Sequence, residues 1–334
     1  MPELTRRMLL AGAAATGAFA VAVKAQLADA VEAAPDLTAK SILITGSSSG
    51  FGRLGAEHYA RAGAKVFATM RNLPRPEADE LRELAQRERL DITVLELDVT
   101  SDEQVENAVG EAERLAGGAL DVVVNNAGIG ISGPVEVQDM EATRLAFDTN
   151  VYGPHRVARA ALPAMRAKRS GYIIPISSQL GRVIAPYSGH YSPTKFALEA
   201  MNEAMAYELV PHGIDVTIVQ PGGYPTDVWR NRNIYTGVLR QRVEAEYAAA
   251  YPQVIARMGE EDGSGRSADP MDVPRAIARL IAMPAGTRPL RVPVHPGAKP
   301  QVPINEVAAR VQQEWLGRSE TLGPLVRAVH DSSV

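Results

Sequence analysis

The feature that most restricts this chain is a glycine-rich turn placed where one hydrophobic periodicity gives way to another. Ser41-Ile42-Leu43-Ile44-Thr45 is a short run that is apolar on both faces. Gly46-Ser47-Ser48-Ser49-Gly50-Phe51-Gly52 follows, and a stretch with helical spacing comes next. A strand apolar on both faces has to be covered on both sides. Gly46 permits the tight turn, Gly50 lets backbone approach a pyrophosphate, and Gly52 allows a helix to pack closely on a strand. The N-terminus of the following helix adds N–H groups and a positive dipole end suited to phosphate. Glycine turns are common on their own; the strand–turn–helix setting is what makes this one informative.

The same rhythm repeats along the chain. Lys65–Thr69, Ile92–Glu96, Asp121–Asn125, Tyr172–Ile176 and Ile214–Val219 read as further buried strands, with a seventh at Leu290–Val294. Between them Glu77–Arg89, Ser101–Ala116, Ala142–Lys168, Ser192–Val210 and Val273–Ala282 have helical periodicity. Buried strands alternating with helices specify an α/β fold, a doubly wound parallel sheet (Rossmann fold) of about seven strands with helices on both faces. One domain is expected over residues 40–300, with inserted helices at about 227–262 and a helical tail at 301–334 that carries no recognisable chemistry. Pro175 cannot donate to a ladder, so a strand end or an irregularity is expected there.

Composition removes several functions. With 35 Lys and Arg against 39 Asp and Glu, the net charge of −4 leaves no electrostatic footprint for nucleic acid. No cysteine is present, which excludes disulfides, thiolate metal sites and a cysteine nucleophile. The six histidines lack metal-ligand spacing, and no metal is expected. At the N-terminus, Arg6-Arg7 precede the uncharged run Met8–Val23, followed by Lys24 and the small-residue site Ala28-Asp29-Ala30. Thr5-Arg6-Arg7-Met8-Leu9-Leu10 resembles a twin-arginine export signal. Residues 1–30 are read as that signal and 31–39 as a linker, giving a periplasmic or extracellular protein with no membrane span after cleavage. The alternative is an alanine-rich helix kept in a cytoplasmic protein.

The spacing Thr45-Gly46-x-x-x-Gly50-x-Gly52 resembles the cofactor turn of compact, single-domain short-chain dehydrogenases/reductases. The resemblance implies a nicotinamide dinucleotide, with Gly46, Ser48, Ser49, Gly50, Phe51 and Gly52 around its phosphates. The second strand ends Thr69-Met70-Arg71, where a fold specific for NAD would usually place a carboxylate. Arg71 can instead pair with a 2′-phosphate, and Ser48 can add a hydroxyl to the same group. NADP(H) is therefore expected, with NAD(H) as the alternative. The same ending resembles the hydroxysteroid and retinol dehydrogenase branch. Asp98-Val99 resembles the adenine contact, and Asn125-Asn126-Ala127-Gly128 the signature lining the cofactor through Asn125, Ala127 and Gly128.

Tyr191 and Lys195 stand four apart in a helical segment and so share a face. An ammonium beside a phenol favours phenolate; a lowering of about three pKa units corresponds to roughly 4 kcal/mol. By resemblance, Ser178 binds the substrate oxygen, Asn150 holds a proton-relay water, and Pro221, Gly222 and Thr226 contact the nicotinamide end. The implied chemistry is interconversion of a carbonyl and an alcohol, with Tyr191 as general acid/base and Lys195 lowering its pKa while holding the nicotinamide ribose. Gln179 and Tyr224 are expected at a small-molecule substrate, within a wall formed with Val183, Ile184, Tyr187, Trp229 and Tyr235. A non-catalytic dinucleotide-binding protein and a sugar-nucleotide epimerase are the rival readings. The long helices Ala142–Lys168 and Ser192–Val210 imply, by the same resemblance, a homodimer or homotetramer.

Overall fold

Strand alternation divides the interior into two cores. Ile42 and Ile44 point to one face of the first strand and Leu43 to the other, and all three are buried. In the computed structural model, which describes residues 35–331, this strand is β1 (Ser41–Ile44). It lies at the centre of a parallel sheet with β2 (Lys65–Met70), β3 (Ile92–Glu96), β4 (Val122–Asn125), β5 (Gly171–Pro175) and β6 (Ile214–Val216). The order is β3-β2-β1-β4-β5-β6.

On one face pack α1 (Gly50–Arg61), α2 (Pro76–Glu88) and the later helix Asp272–Ala282, through Tyr59, Leu81 and Ile277. On the other face lie α3 (Asp102–Ala116), the helix Gly153–Lys168 and the helix Tyr191–Leu209, through Val109, Val157 and Leu209. Ser101 caps α3 by accepting from the Gln104 N–H. Helices thus cover both sides of the sheet, as expected. The strand order reverses between β1 and β4, and the crevice beyond the carboxyl ends of these strands is where such folds bind ligands.

Three local departures matter. The expected sixth strand is divided at Thr217, whose hydroxyl donates to the Pro289 carbonyl and accepts from the Tyr172 hydroxyl. Beyond that break, β7 (Ile218–Pro221) pairs in parallel with β8 (Arg291–Val294), so the expected seventh strand is present as part of a two-stranded extension. The Ser177 N–H donates to the Val219 carbonyl and holds β7 against the end of β5. Pro175 ends β5 and leaves the ladder intact.

The expected long helix Ala142–Lys168 is instead α4 (Met140–Phe147), a π-helical turn at Asp148–Tyr152, and α5 (Gly153–Lys168). Pro154 has no N–H to continue an α-helical ladder. Gly153 lies so close to Val99 that an added Cβ would come within 2.7 Å of its Cγ2.

The catalytic-segment helix is α6 (Tyr191–Leu209). The 227–262 insertion forms α7 (Val228–Arg240), α8 (Ala245–Ala250) and α9 (Pro252–Arg257). Leu239 and Met258 bury this insertion against Ile129 and Ile131, in the loop after β4. After α10 (Asp272–Ala282), the tail forms α11 (Gln301–Trp315) and α12 (Gly323–His330). The tail is tied to α6 by a 2.7 Å bond between His330 Nε2 and the Tyr207 hydroxyl. Leu37, in the stretch read as linker, is fully buried and its N–H donates to the Ala62 carbonyl. The twin-arginine-like segment 1–30 lies outside the described residues. Among the described residues no helix is long and apolar enough to cross a membrane.

Candidate active site

At the carboxyl end of β1 the glycine turn is locked to the end of β4. Thr45 Oγ1 accepts from the N–H groups of Asn126 and Ala127, and Asn126 Nδ2 donates to the carbonyls of Thr45 and Gly46. Gly46 has φ +70°, the region that favours glycine. A Cβ on Gly52 would come within 2.3 Å of the Gly46 carbonyl oxygen, so only glycine lets α1 begin this close to β1. Ser49 is the extended residue preceding α1, and Ser48 is half-buried beside it. Thr226 lies nearest the face of Gly50, with its Cβ 3.7 Å from the position a Gly50 Cβ would take. That contact brings the segment beginning at Pro221 and Gly222 onto the turn. A backbone cradle in which side chains would fill the space fits a dinucleotide phosphate.

Arg71, exposed just beyond β2, donates from Nη2 to the Tyr235 hydroxyl of α7 at 2.5 Å. Asp98 turns its carboxylate back to the N–H and hydroxyl of Thr100. Val99 is buried, with its side chain against Gly153. Asn125 is buried, with Nδ2 donating to the Pro154 carbonyl at 3.4 Å. Phe51 meets Tyr224 edge-on with ring centroids 5.4 Å apart.

The four expected catalytic residues come from three places in the fold: the π-turn, the end of β5 and α6. Asn150 sits in the π-turn, a local widening that recurs at functional sites, and is buried. Its Oδ1 accepts from the Ile129 N–H at 2.8 Å, while Nδ2 donates to the Ile129 carbonyl at 2.8 Å and to Thr194 Oγ1 at 3.0 Å. The carboxamide therefore ties the loop after β4 to α6. A Cβ on Gly128 would lie 3.2 Å from Asn150 Oδ1 and 3.7 Å from Lys195 Nζ, so these three residues converge. Lys195, 5% exposed, donates to the Ile176 carbonyl at 2.8 Å and stands 5.7 Å from the centre of the Tyr191 ring. Burial pushes its amine down to about 8, against the upward pull of Glu199 one turn further along α6. Ser178 follows β5 and caps a short turn by accepting from the Leu180 N–H. Gln179 opens that turn and is half-buried.

The Tyr191 phenol differs from expectation. Burial holds it above its ordinary value, with a hydrogen bond from Ser178 and the positive field of Arg232 pulling the other way. Lys195 gives one of its three N–H donors to Ile176 and keeps its charge within 5.7 Å of the Tyr191 ring centre.

Tyr224 is also a correction. It is 2% exposed, enclosed by Phe51 and His295, with its hydroxyl directed at Asp272 over 3.4 Å. Of the expected apolar wall, Ile184 and Tyr187 are 74% and 55% exposed, and Trp229 has guanidinium groups of Arg266 and Arg232 at 3.7 and 5.0 Å from its ring centre.

Two functional features were missed in the sequence. Asn126 closes the turn, and its signal lay in the second asparagine of the quoted signature. Arg232 acts on the phenol through its positive field, and nothing in the spacing of the insertion marks it. Behind α6, Glu199 and Glu203 hold Arg291 at 2.7 and 2.5 Å, and Gln220 donates to Glu199 at 2.8 Å. This buried network braces the helix that carries Tyr191 and Lys195.

Residues 40–235 match the short chain dehydrogenase family. The chain is 36% identical over 243 residues to 3-ketodihydrosphingosine reductase of Bacteroides thetaiotaomicron, covering 72% of this chain and 83% of that protein. It is 32% identical over 255 residues to bovine (Bos taurus) retinol dehydrogenase 8, covering 72% and 78%. Among solved structures, a short-chain dehydrogenase from Streptomyces avermitilis superposes with a TM-score of 0.63 at 30% identity, covering 83% of this chain and 96% of that one. The match over residues 40–235 and these likenesses place the chain in the short chain dehydrogenase family of oxidoreductases.

Proposed function

We propose that the protein is an NADP(H)-preferring oxidoreductase that interconverts a carbonyl and an alcohol, with Tyr191 moving the proton. The observation that carries this reading is the convergence of Gly128, Asn150 and Lys195 on one spot next to Tyr191, at the carboxyl end of β4 and β5. Gly46, Ser48, Ser49, Gly50, Gly52 and Thr226 would hold the phosphates. Arg71 would take the 2′-phosphate, since the end of β2 supplies a guanidinium and no carboxylate. When bound, the nicotinamide supplies or accepts hydride. Ser178 hydrogen-bonds the substrate oxygen and orients it toward the Tyr191 hydroxyl. A phenol kept protonated by burial is ready to donate during reduction; in oxidation it must first be ionised. Lys195, anchored on Ile176, would hold the ribose and supply the positive charge that favours phenolate once substrate and cofactor are in place. Asn150 sets the loop and helix that frame these groups.

Titrating the protein with NADPH and NADH, followed by a panel of ketones, aldehydes and secondary alcohols, tests the reading. Tighter binding of NADPH together with coenzyme-dependent turnover supports it. Binding without turnover would favour a non-catalytic dinucleotide-binding protein. Tightly retained NAD without net coenzyme turnover would favour an epimerase.

We further propose export of the folded enzyme through residues 1–30 and pairing of copies along α5 and α6, where Tyr152, just before α5, and Phe196, on α6, are exposed. Mass spectrometry of protein recovered from its native compartment tests the first. Light scattering on the purified chain tests the second, with a dimer or tetramer expected.

A further inference from the structure

The insertion helix α7 is seated on the loop that lines the active site. Thr236 is buried and accepts the Ser132 N–H at 3.0 Å. One turn earlier, on the same face, Arg232 lays its stem across Gly130, where a Cβ would be 3.1 Å from Arg232 Cδ. Gly130 lies two residues from Gly128, which borders Lys195. Arg232 therefore packs on the loop that carries Gly128 to Lys195.

Its hydrogen bonding is incomplete. Nη2 donates to Glu261 at 2.5 Å, and the other oxygen of the same carboxylate accepts from Arg266 at 2.8 Å. Two guanidinium groups thus share one carboxylate. Arg266 in turn lies against Gly223, on the segment after β7, with its Nε 3.0 Å from the position of an added Cβ. Nε of Arg232 is buried and has no acceptor among the described residues. The Arg232 side chain is 24% exposed and Glu261 occupies only its Nη2, which leaves Nη1 to meet a second acceptor. Guanidinium is well matched to carboxylate.

We infer that Arg232 is a specificity residue that binds a carboxylate on the substrate, so that the enzyme acts on oxo acids or the corresponding hydroxy acids. The inference rests on the oxidoreductase reading of the same site. The positive field of Arg232 at the Tyr191 phenol agrees with a position beside the reacting oxygen.

The test uses 4-oxopentanoate, 6-oxoheptanoate and 8-oxononanoate, each paired with its methyl ester. kcat/KM is measured with NADPH, and binding to the NADPH-loaded protein is measured by calorimetry. The parent protein is expected to prefer at least one acid over its ester by tenfold or more. Arg232→Gln should cut that acid-to-ester ratio at least tenfold, and Arg232→Lys should restore part of it. The ratio cancels any effect of Arg232 on Tyr191 that both partners share. Acid binding that disappears in Arg232→Gln, without any hydride transfer, would uphold the anion site and sink the oxidoreductase reading. Equal handling of acid and ester, an unchanged ratio in Arg232→Gln, or no binding of either would overturn the anion site while leaving the family chemistry untouched. A loss confined to NADPH affinity would assign Arg232 to the dinucleotide phosphates and overturn it as well.

Discussion

The Lys195 ammonium donates a 2.8 Å hydrogen bond to the carbonyl of Ile176, the residue just beyond β5. The amine is thus anchored to the sheet and not to the phenol one turn before it. This separates two jobs that share a side chain: fixing α6 to the end of β5, and supplying charge to the site.

Lys195→Met separates these jobs by pH. The amine is pushed down to about 8 in the fold, against 10.5 in an unfolded chain. Between those values the unfolded chain binds more protons, so this group's contribution makes stability rise with pH; below pH 8 the whole burial penalty is present. The variant should therefore gain melting temperature over the parent at pH 7, and the gain should shrink toward pH 10, while turnover falls at least hundredfold. Scanning calorimetry at the two pH values checks it. An equal shift at both would contradict the buried ammonium.

Arg71→Gln should weaken NADPH binding by about tenfold to a hundredfold, the range of a lost charge-assisted pair. NADH binding should stay within about threefold. Fluorescence titration of both coenzymes reads this directly, and equal losses would show that Arg71 is a support for Tyr235 and not a phosphate reader.

Asn150→Ala removes three hydrogen bonds from a buried carboxamide and strands the Ile129 N–H and carbonyl. A cost of about 2–4 kcal/mol in urea unfolding is expected. A loss below 0.5 kcal/mol, on the order of a surface substitution, would mean the loop after β4 holds its course without it.

The fold could be read from the chain because its strands are apolar on both faces and its helices carry strong periodicity, as at Ser41–Ile44 and Asp102–Ala116. The π-turn at Asn150 escaped because Ala142–Lys168 keeps helical spacing across it. The glycine turn and the Tyr191, Lys195 and Ser178 set carried spacing tight enough to be recognised. Tyr224 and Arg232 did not. Tyr224 is buried by Phe51 and His295, and the place of Arg232 depends on how the 227–262 insertion is seated, which the Ser132–Thr236 bond between distant parts of the chain fixes. The anchoring of Lys195 was likewise illegible, since helical spacing reports that it is near Tyr191 but not that it also donates to the Ile176 carbonyl.

Everything proposed for this site requires the Tyr191 hydroxyl to exchange a proton with the substrate oxygen. Tyr191→Phe removes that one atom and keeps the ring that fills its place in α6. Single-turnover hydride transfer, measured alongside NADPH affinity in parent and variant, is the decisive comparison. Transfer at least a thousandfold slower, with affinity within about threefold, is the expected result, the span of a lost general acid. A Phe variant that transfers hydride within tenfold of the parent rate would contradict the assignment.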